Sequence, residues 1–361
     1  MPAEAGTQDT TPHRCEPCRS VPEIEQLRLA GLVVAFLCLV TPASAEILIG
    51  VAAPMTGRYA KQGEAIRKGV EDDVSRANTS GGIKGQKLSV IAVDDGCDAK
   101  AGVEAARTLI ERKVAIVVGH TCAGAALAAS QVYAAANTVF FALNGHPDIT
   151  DKRAGLTIFR PVGRDDRQGD AIAKHVLEHF HGQRIAIVHD RTRYARVIAD
   201  RVRFVLGEYK MMPAMSEGLV AGEKDYRWLI EKLRTSKSSV IVFAGFPNEA
   251  AVLMKGMRAV DLDLQMIGSE SLIGGLWLAA GPLAEGTRLA AAVRPEIFAH
   301  GLIEVLSDAS ELGPIEGVQL AQSLTVPSRG RLRGGFDSRG DSNSQSHDVM
   351  VLTAGQLKPM P

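Results

Sequence analysis

The stretch ILIGVAAPMTGRYAKQGEAIRKGVEDDVSRANTSGGIKGQKLSVIAV, residues 47–93, contains the repeating structural unit of the chain. It opens with the apolar run 47–53, which a proline and a Thr-Gly pair close. Apolar side chains then recur at helical spacing over 63–78, with charges on the opposite face, and this pattern predicts an amphipathic helix. After a glycine-rich break, residues 88–93 form the next predicted strand. The unit is therefore strand, helix, strand.

The same alternation continues through most of the chain. Further predicted strands lie at 114–118, 138–143, 184–188, 240–244 and 265–267, separated by helices at 101–112, 123–137, 168–181, 195–209, 226–233 and 249–260. This order predicts an α/β fold with parallel sheets and right-handed crossovers. Ligands of such sheets bind beyond the carboxyl ends of the strands. Those ends carry the loops 54–59, 94–98, 119–124, 143–146, 189–194, 245–248 and 268–270.

The balance of charged residues limits the classes of function that this chain can have. The chain has 361 residues with 41 basic and 41 acidic side chains, so its charge balance gives no support to nucleic-acid or anionic-membrane binding.

Residues 29–40 form an uncharged apolar run, too short to span a bilayer, followed by small residues up to Ala45. This pattern predicts a secretory signal cleaved after Ala45, preceded by an N-terminal extension. A buried core helix is the alternative interpretation of the run.

Cysteine placement agrees with export. Cleavage after residue 45 removes Cys15, Cys18 and Cys38 and leaves Cys97 and Cys122. An even number of cysteines in an exported chain favours a disulfide. The first two cysteines could form half a zinc site, but no second ligand pair lies before the signal.

Motifs for catalysis are weak or absent. No G-x-G-x-x-G follows the first strand, and neither a Walker-type loop nor a G-x-S-x-G elbow occurs. His120 and Cys122 are close in sequence, but a cysteine in a disulfide cannot act as a nucleophile. His175 and His179 fit the H-x-x-E-H zinc-peptidase pattern, for which a solvated helical face is the simpler interpretation. We therefore expect no enzyme, no cofactor and no metal.

Several segments together carry a family resemblance. They are IGV at 49–51, PMTG at 54–57, GGIKGQKL at 81–88, DDGCD at 94–98, GHTC at 119–122, QRIAIVHD at 183–190 and AGEKDY at 221–226. With them the chain resembles the periplasmic substrate-binding proteins of branched-chain amino-acid ABC transporters, the Leu/Ile/Val type, from residue 46 to about 290. The resemblance implies two Rossmann-like lobes with parallel sheets, joined by three crossovers, the first near 160–163. It also implies that Cys97 and Cys122 are the family's disulfide pair.

The resemblance further implies a domain plan and a function. Lobe 1 is expected at 46–161 with part of 290–334, and lobe 2 at 162–289 with 335–361. The protein would be a periplasmic, monomeric binding component that binds a branched-chain amino acid, or a related small amino acid or amide, between its lobes and delivers it to an inner-membrane ABC permease, without contact to nucleic acid. The alternative function is a ligand-sensing module of the same fold that acts on a regulatory partner.

The implied ligand pocket is only partly preserved. Glu270 matches the acidic residue that receives the ligand's ammonium group, and Tyr194 and Phe246 match pocket aromatics, with Phe246 in place of a tyrosine. Ala123 and Gly145 stand where the family offers a serine and a threonine to the ligand's carboxylate.

Other groups at the pocket could replace the missing hydroxyls. They are the backbone amides of Ala123 and Gly124, next to Cys122 at a helix N-terminus, and the side chains of Asn144 and His146.

The C-terminal part departs further from the family pattern. After residue 288 the match fades, and 328–333 is a basic, glycine-containing stretch. Both a genuine variation and a deletion or frameshift would explain the mismatch. The segment GFDSRGD at 335–341 recovers the family's late pattern, and 349–352 reads as a final strand.

Overall fold

A computed structural model describes residues 46–292, 302–303, 306–307, 310, 315, 317–325, 336–342 and 346–360. The predicted signal with its extension, Cys15, Cys18, Cys38 and the basic stretch 328–333 lie outside these residues. In the part of the chain that is described, no helix combines the length and apolarity needed to cross a membrane.

The strands form two sheets. They are β1 Ile47–Ala53, β2 Leu88–Asp94, β3 Ile116–Gly119, β4 Val139–Ala142, β5 Ile158–Phe159, β6 Ile185–His189, β7 Met215–Gly218, β8 Val240–Ala244, β9 Gln265–Gly268, β10 Arg288–Ala292, β11 His347–Thr353 and β12 Gln356–Pro359. A five-stranded sheet has the order β2-β1-β3-β4-β5, and a seven-stranded sheet has the order β12-β11-β10-β9-β8-β6-β7. The neighbours from β1 to β10 pair in parallel, as predicted.

Helices connect the parallel strands. They are α1 Ala60–Thr79, α2 Ala99–Glu111, α3 Ala123–Ala135, α4 Asp148–Asp151, α5 Asp165–His179, α6 Arg193–Glu208, α7 Arg227–Thr235, α8 Pro247–Ala259, α9 Leu276–Ala280 and α10 Gly317–Thr325. The amphipathic pattern explains the first of them: Val70 and Val74 of α1 are buried in the core that covers the five-stranded sheet. Asp98 begins α2 by accepting hydrogen bonds from the backbone N–H groups of Lys100 and Ala101.

The apolar run at 47–53 becomes a central strand. β1 lies between β2 and β3, and Ile49 and Val51 have no exposed surface. Gly50 is closely packed, since a Cβ there would lie 3.1 Å from both methyl carbons of Leu109. A strand covered on both faces needs apolar residues on both, which is why this run lacks polar alternation.

The chain passes between the sheets three times. The first passage follows β5. The second passage comes after β10, which pairs in the seven-stranded sheet, because α10 packs on β4 of the five-stranded sheet. The third passage comes before β11, which pairs again in the seven-stranded sheet. Phe336, from the segment expected in lobe 2, packs against Phe141 and Phe159 of the five-stranded sheet, so the return comes after it. The α/β architecture with three crossovers is therefore confirmed.

Some strand predictions were incomplete. The segment at 349–352 is part of β11, but it is not the final strand, because β12 follows and pairs with it antiparallel. The strands β5, β7 and β10 were not predicted from the sequence. β5 has only two residues, and the burial of β7 is at most partial, so neither presents a long apolar run.

A buried network of charged side chains connects two parts of the chain: the first passage between the sheets and the third passage between the sheets. The guanidinium of Arg160, which is fully buried, donates to Asp341 and to Thr150 Oγ1, the latter at 2.7 Å. It also donates to the carbonyl oxygens of Gly145, at 3.2 Å, and His146, at 3.1 Å. Burial lowers the pKa of Arg160, and Asp341 opposes this effect. Asp341 thus balances a charge that has no contact with water.

Candidate functional site

A cavity of about 540 Å³ lies at the carboxyl ends of strands from both sheets. Its lining contains every residue predicted to bind ligand except His146, and one or more residues from each predicted strand-end loop. The lining residues are Tyr59, Gln62, Cys97, Thr121, Cys122, Ala123, Gly124, Leu143, Asn144, Gly145, Val162, Gly163, Gln168, Thr192, Arg193, Tyr194, Phe246, Glu270, Ser271 and Ile273.

Three aromatic rings form a row along this cavity. Phe246 lies between Tyr59 and Tyr194, with ring centroids 6.0 Å away on each side. Tyr59 follows β1 of the five-stranded sheet, whereas the other two rings belong to loops of the seven-stranded sheet. Burial raises the pKa of Tyr59, so its phenol stays protonated at neutral pH. The row offers an apolar surface that reaches across both sheets.

The hydroxyl of Tyr194 is held in place by neighbours. It donates to Gln168 Oε1 at 3.1 Å and accepts from the backbone N–H of Ser271 at 3.2 Å. Burial raises the pKa of Tyr194 well above its usual range, so the group acts as a neutral donor. Gln168 Oε1 also accepts from the backbone N–H of Glu270, at 3.1 Å. These contacts fix the ring of Tyr194 and the backbone of Glu270 relative to each other.

Glu270 brings a carboxylate to the cavity. It begins a short 3-10 turn, Glu270–Leu272, directly after β9, and its side chain is 42% exposed. Its Oε2 lies 3.1 Å from Nε2 of His347, a side chain that is only 1% exposed. Because His347 engages one oxygen, the other remains available to a ligand. A carboxylate with one such oxygen can accept a charged hydrogen bond from an ammonium group.

The opposite wall is the N-terminus of α3. Cys122 caps this helix, and its disulfide to Cys97, with a Cα–Cα distance of 5.3 Å, confirms the pairing expected for an exported chain. The first backbone N–H groups of an α-helix have no acceptor within the helix. Those of Ala123 and Gly124 therefore remain as donors at the cavity, where they suit an anion such as a carboxylate.

Asn144 links two loops at the cavity. Its Nδ2 donates to the carbonyl oxygen of Thr121 at 2.7 Å, and its Oδ1 accepts from the backbone N–H of His146 at 3.0 Å. The side chain of His146 does not line the cavity, and its Nδ1 accepts from the backbone N–H of Asp148 at 3.2 Å. Of the two side chains expected to replace the missing hydroxyls, His146 is therefore not at the site.

Gly145 has no room for a side chain. A Cβ at this position would lie 2.2 Å from Asp165 Oδ1 and 2.6 Å from the carbonyl oxygen of Gly163. The backbone N–H of Asp165 also donates to the carbonyl oxygen of Gly145, at 2.8 Å. Burial raises the pKa of Asp165 to about 8. None of the described polar groups reaches its Oδ2.

The candidate metal and nucleophile sites are occupied by other contacts. Arg288 donates to His175 Nε2 at 2.9 Å, which uses the lone pair that a metal would need. Burial lowers the pKa of His175 to about 4. His120 is fully buried and its ring nitrogens contact Asp95 Oδ2 at 2.9 Å and the Tyr133 hydroxyl at 3.0 Å. Among the described residues, no group of three or more potential ligands could hold a metal ion.

Sequence reasoning missed several side chains at or behind the cavity, among them Tyr59, Gln168 and His347. Tyr59 lies in the predicted loop 54–59, so the loop was identified but the residue was not. Gln168 sits on α5, beyond any strand end. His347 comes from the part of the chain where the family pattern fades, and no spacing connects it to Glu270.

A second cavity, of about 720 Å³, lies at the opposite ends of the strands. Ser239, Gln265 and Thr287, at or before the starts of β8, β9 and β10, line it. Open parallel sheets bind ligands at the carboxyl ends, so the smaller cavity is the candidate site.

The comparisons with known proteins agree with this geometry. A family model described as periplasmic binding protein matches residues 46–301. Leu/Ile/Val-binding protein homolog 1 of Brucella melitensis is 34% identical over 245 residues, 67% of this chain and 66% of the relative. An amino acid binding protein of Pseudomonas aeruginosa is 34% identical over 248 residues, 68% of this chain and 66% of the relative. The chain thus spans just under two thirds of the length of these relatives.

Solved structures show the same fold at lower identity. The branched-chain amino acid transporter substrate-binding protein LivJ of Streptococcus pneumoniae, in complex with isoleucine, has a TM-score of 0.75 at 20% identity, over 87% of this chain and 98% of that one. A solute-binding protein of R. palustris, in complex with benzoate, has a TM-score of 0.75 at 17% identity, over 88% and 96%. The matched residues, the two sheets and the cavity at their strand ends lead to one conclusion: the chain belongs to the periplasmic binding protein family.

Proposed function

We propose that this protein is the extracytoplasmic solute-binding component of an ABC importer. It would bind a branched-chain amino acid, or a related small amino acid or amide, and deliver it to an inner-membrane permease. The relatives named as Leu/Ile/Val-binding or amino-acid-binding proteins support this ligand class.

One observation carries the proposal. The cavity places a carboxylate, Glu270, and the helix N-terminus formed by Ala123 and Gly124 on walls that belong to different sheets. An amino acid carries an ammonium group and a carboxylate on one carbon, so it would be complementary to such a pair of walls. The aromatic row of Tyr59, Phe246 and Tyr194 would contact an apolar side chain.

The two sheets would form two lobes that close on the ligand by hinge motion. Lobe 1 would comprise 46–161 with the returning segments around α10 and Phe336, and lobe 2 would comprise 162–292 with 346–361. Tyr59 and Phe246, which touch across the cavity, would close its mouth. The closed shape would be what the permease recognises.

Export and assembly complete the proposal. The signal would be cleaved after Ala45 and the protein would act as a monomer in the periplasm. The disulfide between Cys97 and Cys122 would be stable in that oxidising compartment.

Isothermal titration of the purified, oxidised protein tests the proposal. Leucine, isoleucine and valine should bind, and acetamide, urea and benzoate serve as competing ligand classes. Glu270→Gln should weaken amino-acid binding by at least tenfold, because an amide cannot balance the ammonium charge. Glu208→Gln, an exposed change on α6, is the matched control and should bind normally. Binding of amides alone would limit the proposed ligand class to amides, binding of benzoate alone would contradict that class, and binding of none of these ligands would contradict the transport role.

A further inference from the structure

His347 lies behind the carboxylate of the proposed ligand site. It is the first residue of β11, which pairs antiparallel with β10, and the register places it opposite Ala292. Its side chain is 1% exposed, so it does not contact solvent, and it is not among the residues that line the cavity.

The ring makes one directed contact. Nε2 lies 3.1 Å from Glu270 Oε2, whereas no group in the described part of the chain reaches Nδ1. A carboxylate oxygen only accepts, so Nε2 must be the nitrogen that donates. The geometry therefore assigns Nε2–H as the donor that is directed at the Glu270 carboxylate.

We propose that His347 is a positioning residue for ligand recognition: its Nε2–H holds the Glu270 carboxylate so that the second oxygen faces the ammonium group of the ligand. The inference rests on the proposed function and adds the residue that orients its acidic group. It assigns a role to a strand that lies outside residues 46–301, the part matched by the family model.

The need for such a residue follows from the exposure of Glu270. A glutamate that is 42% exposed, on a short 3-10 turn, has several accessible rotamers, and ordering it on binding costs conformational entropy. The backbone N–H of Glu270 is already fixed by Gln168, at 3.1 Å, but that bond does not restrict the side chain. The bond to His347 does restrict the side chain of Glu270, so less conformational entropy is lost when the ligand binds.

Pairs of variants and pairs of ligands distinguish a positioning role of His347 from a role in packing. His347→Leu removes the donor and keeps an apolar volume, His347→Gln keeps an N–H donor, and His181→Leu is a control at an exposed histidine. L-Leucine carries the ammonium group, and 4-methylpentanoate has the same carbon skeleton without it. Both are titrated into the full chain and its variants.

We expect His347→Leu to weaken leucine binding about tenfold, as for loss of one hydrogen bond to a charged group, with 4-methylpentanoate binding unchanged. His347→Gln should recover most of the leucine affinity. Equal losses for both ligands, or no loss for either, would overturn the proposal.

Nitrogen-15 spectra of the His347 ring test the contact without any ligand. They should show the proton on Nε2, and Glu270→Gln should shift that signal. A ring with a proton on Nδ1 and none on Nε2 would overturn the proposal. A wild-type protein that shows the Nε2 proton but binds no amino acid would overturn the proposed function, while the contact between His347 and Glu270 would stand.

Discussion

Removing Asp341 should destabilise the protein more than removing any exposed acidic residue. Asp341→Ala deletes the carboxylate that accepts from the buried guanidinium of Arg160 and from Arg164 Nη1, the latter at 3.3 Å. The Arg160 side chain is 0% exposed and that of Asp341 is 5% exposed, so water cannot replace the lost partner. The variant would leave Arg160 charged, buried and without its counter-charge.

The size of the effect follows from this burial. Breaking a buried ion pair by removing one partner costs about 3–5 kcal/mol, because the remaining charge stays desolvated. For a chain of this size each kcal/mol lowers the melting temperature by about 2 °C, so the expected decrease is about 6–10 °C. Arg160 keeps its bonds to Thr150 and to two carbonyl oxygens, which places the expectation at the lower end of that range.

Differential scanning calorimetry at neutral pH measures the effect. The matched control is Asp72→Ala, which breaks the Lys68–Asp72 pair, whose side chains are 68% and 54% exposed. An exposed pair contributes at most about 1 kcal/mol, so this control should melt within about 2 °C of the wild type. The double change Arg160→Met with Asp341→Leu removes both charges and should recover part of the loss. Equal melting of Asp341→Ala and Asp72→Ala would refute the reasoning.

Three further expectations follow from the site. Burial raises the pKa of Asp165 to about 8 in the folded state, above an unfolded value of about 4, so the free energy of unfolding should fall as pH rises between these values. Asp165→Asn should reduce the difference in the free energy of unfolding between pH 5 and pH 8, measured by urea unfolding. An unchanged difference would contradict this expectation. Cys97→Ser should lower the free energy of unfolding by about 3 kcal/mol relative to the oxidised wild type, in the chain-entropy model. Urea unfolding measures this decrease, and the reduced wild type should match the variant. Ala123→Ser should tighten leucine binding about fivefold by calorimetric titration, since a hydroxyl donor to the carboxylate adds about 1 kcal/mol, and no change would place the carboxylate elsewhere.

The alternation of strands and helices could be predicted from the sequence because local patterns specify it. The run that became β1 is apolar at nearly every position, and only a strand covered on both faces needs that. β5 could not be predicted in this way, since a two-residue strand has no measurable period. β12 pairs with β11 through the two-residue turn Ala354-Gly355, a local hairpin, but its four residues are mostly exposed and present no apolar run.

The candidate site was predictable where it consists of strand ends. Each predicted loop contributes to the cavity because the carboxyl ends of parallel strands meet at one edge. Gln168 and His347 escaped prediction because one lies on a helix and the other arrives from a strand 77 residues beyond Glu270. Such contacts are set by how elements pack, and the spacing of residues along the chain does not reveal them.

The packing around Gly145 constrains how the ligand preference of this protein can evolve. A threonine placed there by one substitution would meet Asp165 Oδ1 at 2.2 Å and the Gly163 carbonyl oxygen at 2.6 Å, measured from its Cβ. The carboxyl group could be replaced by a smaller side chain, but the carbonyl oxygen belongs to the backbone and cannot be. A hydroxyl side chain at position 145, which the family resemblance implies, therefore requires a shift of the backbone at 163–165 as well. No single substitution at position 145 provides that shift.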